Sequence, residues 1–148
     1  MLRSTSRPAK SIEERTGEYF RPCDRELLKR GVRFFPITLG PMRSLTMRGI
    51  RLKELLIQRG YEIVEIYPGA AQDIWKIARK QEGLSKLRKG LERLGLKGLA
   101  TNMNGDELDA VTGALVGRLY LKGEAEVLGN FREGAIVIPK PIKVRPLR

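Results

Sequence analysis

The stretch NGDELDAVTGALVGRLYL, residues 104–121, limits the fold more than any other. Its spacing predicts a helix. At 100° per residue, Leu108, Val111, Thr112, Leu115 and Leu119 form one apolar face. Asp106, Asp109, Gly113, Gly117 and Tyr120 fall on the roughly opposite side. That second side lacks the lysines and glutamates of a solvated face. A glycine inside a helix costs about 1 kcal/mol, so something must compensate for Gly113 and Gly117. The expectation is a helix packed on both sides, with another backbone close to the glycines and two carboxylates at the packed edge.

The carboxylates admit two explanations. Asn104 and Glu107 have the three-residue spacing of a capping box, and Asp106 then sits in the first turn, where negative charge is favoured. Asp109 lies a turn further in, where aspartate is a poor helix former. Burying it unpaired costs several kcal/mol. A divalent cation shared by Asp106 and Asp109 would offset that cost. So would a basic partner, and the chain has 29 lysines and arginines.

Composition narrows the chemistry. No histidine occurs among the 148 residues, which excludes Ser-His and Cys-His nucleophiles and His-ligated zinc. A lone cysteine, Cys23, allows no internal disulfide and suits a reducing, cytoplasmic setting. Abundant Lys, Arg and Glu beside scarce Asn and Gln fit a thermophilic protein. The net charge of +12 attracts polyanions, nucleic acid before acidic membrane. No apolar run reaches the ~20 residues that span a bilayer, and no membrane partner is expected.

Charge is unevenly placed. Residues 76–97 hold eight basic residues against Glu82 and Glu92. Lys76, Arg79, Lys80, Lys86, Arg88, Lys89 and Arg93 are the expected contacts to nucleic acid. Residues 106–134 hold six acids against three basic residues. Such a division suits a metal-dependent nuclease, and equally two solvated faces.

The remaining elements follow from periodicity. Helices are expected over CDRELLKRG (23–31, with Gly31 as C-terminal cap), 41–60 (ended by Gly60), GAAQDIWKIARK and 84–95. YEIVEIYP, 61–68, reads as the best strand, ended by Pro68. Glu65 shares a strand face with Tyr61, Ile63 and Tyr67, while Glu62 joins Val64 and Ile66. A central strand would press one glutamate into a packed face; an edge strand would leave both solvated. GAIVIPKP closes the sheet as a short apolar strand. The sum is an α/β domain with a small sheet and several packed helices. It has a loose segment over 1–17, a body over 18–141 and a basic tail over 142–148.

RPCDRELLKRGVRFFP, RGIRLKELLIQRGYEIVEIYPGA and GDELDAVTGALVGRLYLKGEAEVLGNFREGAIVIP, in this order, resemble the 429th domain-of-unknown-function family, uncharacterised predicted nucleases of ribonuclease-H-like fold. DELDAVTGAL is also similar to the last helix of RuvC-type junction resolvases. The resemblance implies a partial or truncated ribonuclease-H-like fold and a nuclease that cleaves phosphodiesters. It implies Asp106 and Asp109 as ligands of Mg²⁺ or Mn²⁺, with Glu65 as a third catalytic candidate. The family's opening strands, with their Gly-Ile-Asp motif, have no counterpart here. The expected alternative is a non-catalytic nucleic-acid-binding module or inactive remnant. A sheet lacking those strands would leave 61–68 an exposed edge, so assembly into a homo-oligomer, or with the missing N-terminal segment, is expected.

Overall fold

A computed structural model describes residues 20–35 and 40–141. The expected loose segment 1–17 and basic tail 142–148 lie outside the described residues. The architecture is mixed α/β. Helix α1 spans Pro22–Lys29, α2 Gly40–Gln58, α3 Pro68–Ile74, α4 Leu84–Arg93 and α5 Gly105–Leu121, and strands β1 Ala125–Asn130 and β2 Gly134–Pro139 follow.

The strands form an antiparallel hairpin, with Ala125 opposite Pro139 and Asn130 opposite Gly134. Asn130 shapes the turn: its side-chain oxygen accepts from the amides of Arg132 and Glu133 at 3.0 and 2.9 Å. Gly129, at φ 78°, is required there, because a Cβ would lie 2.4 Å from the Gly134 carbonyl oxygen. β1 has no counterpart in the sequence expectations.

β2 is the centre of the structure. Ile136 and Ile138 pack on one side with Cys23 and Leu27 of α1, Val32, Ala70 and Leu128. Val137 points to the other side, against Val116 of α5, Ala71 and Trp75. A third cluster joins Leu87 and Leu91 of α4 to Leu108 of α5. An unbroken apolar run is what a strand covered on both faces requires.

The stretch expected as the best strand, 61–68, is corrected. It runs extended beside β2 but makes one isolated parallel bridge, Ile66 to Val137, in which the Val137 amide donates to the Glu65 carbonyl at 2.8 Å. Pro68 has no amide to donate and already opens α3. The alternation itself holds. Val64 and Ile66 pack toward the α5 side, Tyr67 toward the α1 side.

The helix expected through 80 ends early. Lys76 takes φ 55°, its amide bonds Asp73 and the Ile77 amide bonds Gln72, which closes α3 and turns both Trp75 and Ile77 into the core. The same closure, with glycine in the left-handed position, ends α1 at Gly31 and α2 at Gly60 as the sequence predicts.

α5 corrects a further expectation. Its buried stripe is Leu108, Thr112 and Val116. Gly113 and Gly117 are half-buried at the shoulder, and a Cβ at either would meet nothing within 4 Å. Among the described residues no second backbone lies over them. The helix rests on the sheet, α3 and α4, and the Asp109–Gly117 side lies at the margin of that contact.

Candidate nucleic-acid interface

Asn104 caps α5: its side-chain oxygen accepts from the amides of Asp106 and Glu107 at 3.0 and 2.9 Å, and Glu107 reaches back to the Asn104 amide at 2.7 Å. The capping box is as the sequence predicts. Opposite it, a short 3-10 turn, Lys80–Glu82, is held by Glu82 accepting from the Arg79 amide. This turn aims the Lys80 ammonium between the two acids, 2.9 Å from Asp106 and 3.0 Å from Asp109.

The two acids differ in setting. Asp106 is 93% exposed at its side chain; Asp109 is 23% exposed. The second oxygen of Asp109 accepts from Gln72 Nε2 at 3.0 Å, and Gln72 is buried. The same nitrogen lies 3.2 Å from Thr112 Oγ1, which donates to the Leu108 carbonyl. Both oxygens of Asp109 are therefore committed. Hydrogen bonds to Asp106 and then Asp109 raise the Lys80 pKa and keep it charged. The basic partner that the sequence left open is in place, and it is Lys80.

Glu65 lies in a different cluster. Arg21, the N-cap of α1, puts Nη1 and Nη2 on the Glu65 oxygens at 2.9 and 2.7 Å. It also grips Asp24 through Nε and Nη2, each at 2.9 Å. Asp24 is buried, so its charge is matched by a bidentate partner. Arg21 thus ties α1 to the extended 61–67 segment. Its legible half was Asp24 at N3 of the helix, which accepts the Arg21 amide. Its reach to Glu65, 44 residues away, had no sequence signal.

Metal ions can be judged against these donors. Among the described residues no three Cys, Asp or Glu side chains gather to hold an ion. Two carboxylate pairs each meet at one cation: Asp24 and Glu65 at the Arg21 guanidinium, and Asp106 and Asp109 at the Lys80 ammonium. The second donor set does not fit a two-ion centre, and it fits one Mg²⁺ or Mn²⁺ only with Lys80 moved away.

The seven expected nucleic-acid contacts divide. Arg79 is spent internally. It forks onto Asp73, donates to the Arg33 carbonyl and the Tyr67 hydroxyl, and lies 5.6 Å over the Tyr67 ring. Lys80 is spent on the acids. Arg88 donates to the Thr101 carbonyl at 2.9 Å and sits 3.9 Å from Glu92. Lys76 takes the left-handed turn with its backbone, and its side chain is exposed. Lys86, Lys89 and Arg93 are exposed as well. Their spacing places them on one side of α4, away from buried Leu87 and Leu91. With Ala78 and Glu92 they line an open groove of about 720 Å³.

Compared with family models, curated proteins and solved structures, the chain matches none.

Proposed function

We propose that this chain binds nucleic acid through its phosphate backbone, with Lys86, Lys89 and Arg93 of α4 as the contact surface. The observation that carries the proposal is the groove itself. Three cations open on it with one acid, Glu92, which Arg88 already approaches. No ion pair joins these three cations to a described residue. From Lys86 to Arg93 α4 rises about 10.5 Å, roughly three phosphate-to-phosphate steps along one strand. Binding of this kind tolerates any sequence and weakens steeply with salt. Lys80, Arg79 and Arg88 support the surface from behind by fixing the turns at either end of α4.

A second reading keeps the nuclease and the ribonuclease-H-like fold. It rests on the motif resemblance and on one geometric fact: Asp106 and Asp109 both reach a single cation. In that reading they would hold Mg²⁺ or Mn²⁺ once Lys80 withdrew, and the ion would supply an activated water and charge for the leaving oxygen. Labelled single- and double-stranded oligonucleotides separate the two. The binding module holds them equally in chelator and in Mn²⁺ and leaves them intact. Cleavage that needs Mn²⁺ and disappears in Asp109→Asn establishes the nuclease instead.

A further inference from the structure

The longest described helix, α2, has no buried residue. It shares no substantial contact with any other described helix or strand. This is anomalous, because most helices in proteins draw their stability from tertiary packing of one face. Its surface is nonetheless apolar: Leu45 is 60% exposed and Leu52 56% exposed, and Met47, Leu55 and Ile57 are exposed too.

The arrangement of these residues indicates the occupant. At 100° per residue, Leu52, Leu45, Leu56, Met42, Ile57 and Ile50 span an arc of roughly 160°, interrupted by Lys53 and Thr46. Arg48 and Arg51 lie on the remaining arc, interleaved with Met47 and Leu55, and Glu54 is the one acid of the helix. The apolar arc is wider than a coiled-coil seam. A second copy of α2 would also bring Arg48 and Lys53, at the flanks of a Met42-Leu45-Gly49-Leu52-Leu56 seam, against like charges with no acid to meet them. Nucleic acid would satisfy the arginines and leave the leucines wet. An occupant with an apolar interior and an extended negative surface satisfies both.

We infer that α2 lies in the interface of an anionic lipid membrane, its leucine arc immersed and its arginines at the headgroups. Interfacial helices have this division of charge and apolar area. Lys53, within the apolar arc, has a stem long enough to carry its ammonium back to the headgroups. The +12 chain adds long-range attraction to the same surface. This goes beyond the nucleic-acid reading, which uses α4, and departs from the sequence expectation of no membrane partner.

The full chain is tested by co-sedimentation with vesicles of phosphatidylcholine, with and without phosphatidylglycerol. The expected result is binding to the anionic vesicles only. The double variant L45S/L52S, at two exposed positions and with no change of charge, should keep its circular dichroism and its oligonucleotide affinity yet bind vesicles about tenfold or more weakly. R48S/R51S should lose about fivefold for each basic residue removed. Absence of wild-type binding overturns the inference. So does unchanged vesicle binding by L45S/L52S, which would assign the attraction to net charge alone. A dimer in light scattering that L45S/L52S converts to monomer also overturns it, by making a second copy the occupant.

Discussion

Replacing Asp109 by asparagine tests the carboxylate pair, and the structure sets its size. Lys80 touches both acids at nearly the same distance, but Asp106 is 93% exposed and Asp109 23%. An exposed pair contributes little, about 0–1 kcal/mol, and less in salt. A partly buried hydrogen bond to a charged group is worth about 1.5–3 kcal/mol. Lys80 keeps 35% of its side-chain exposure, so solvent discounts the second figure to about 1–2 kcal/mol. The substituted amide keeps an oxygen for Gln72 but loses the charge that Lys80 faces. Asp109→Asn should therefore lower the melting temperature by about 3–6 °C, and Asp106→Asn by less than about 3 °C. Differential scanning calorimetry of the two variants in chelator measures both. Equal losses, or a rise in Asp109→Asn, would refute the reasoning, because a rise means two carboxylates that repel each other and await a cation. Millimolar Mn²⁺ should leave the wild-type curve in place, since a ligand held by the native state would raise it by mass action.

Three further outcomes follow from the geometry. Lys76→Gly should stabilise the chain by about 0.5–1 kcal/mol in urea unfolding, because a left-handed lysine is replaced by the residue that adopts φ 55° without strain. Arg21→Ala should destabilise by about 3 kcal/mol or more, because buried Asp24 loses its bidentate partner; Glu65→Gln, at a half-exposed site, should cost far less. Burial pushes the Cys23 thiol up to about 11, against an ordinary value near 9.0. A raised acid of this kind leaves stability complete below pH 9 and removes it as pH rises toward 11. Urea midpoints across that window should fall for wild type and flatten for Cys23→Ala, and a thiol reagent at about pH 8, below the raised value, should label the native chain slowly.

What the sequence disclosed depended on how local the physics was. The Asn104–Glu107 box and the glycines ending α1 and α2 are satisfied within a few residues, and they stand as expected. The apolar face of α5 was visible in part: Leu108 and Thr112 are buried, but the stripe is turned toward Val116, which the period did not place on it. The choice between the two candidate strands was not. YEIVEIYP has the stronger β composition, but its glutamates need partners on either side, Arg21 for Glu65 and Tyr120 for Glu62. GAIVIP, without a charge, could enter the middle. Lys76 looked helical because lysine is a good helix former, and only the need to bury Trp75 and Ile77 together reverses it. Gly113 and Gly117 suggested a close backbone, yet open space lies over both. The partner of Asp109 was also hidden, because Lys80 is one basic residue among 29 and lies far from it along the chain. Which basic residues remain at the surface depends on such pairings: Arg79, Lys80 and Arg88 are consumed; Lys76 is left on its turn, and Lys86, Lys89 and Arg93 are left on α4.

The central claim rests on those three side chains. The direct test is the salt dependence of oligonucleotide affinity, measured by fluorescence anisotropy in chelator for wild type and for the triple variant K86S/K89S/R93S. All three side chains point away from the core cluster of Leu87 and Leu91, so the variant should fold. If each cation neutralises one phosphate, the slope of log affinity against log salt should flatten by about 2.7 on duplex DNA. The account predicts that flattening together with weaker binding at low salt. An unchanged slope with unchanged affinity would contradict it and place the binding surface elsewhere on the chain.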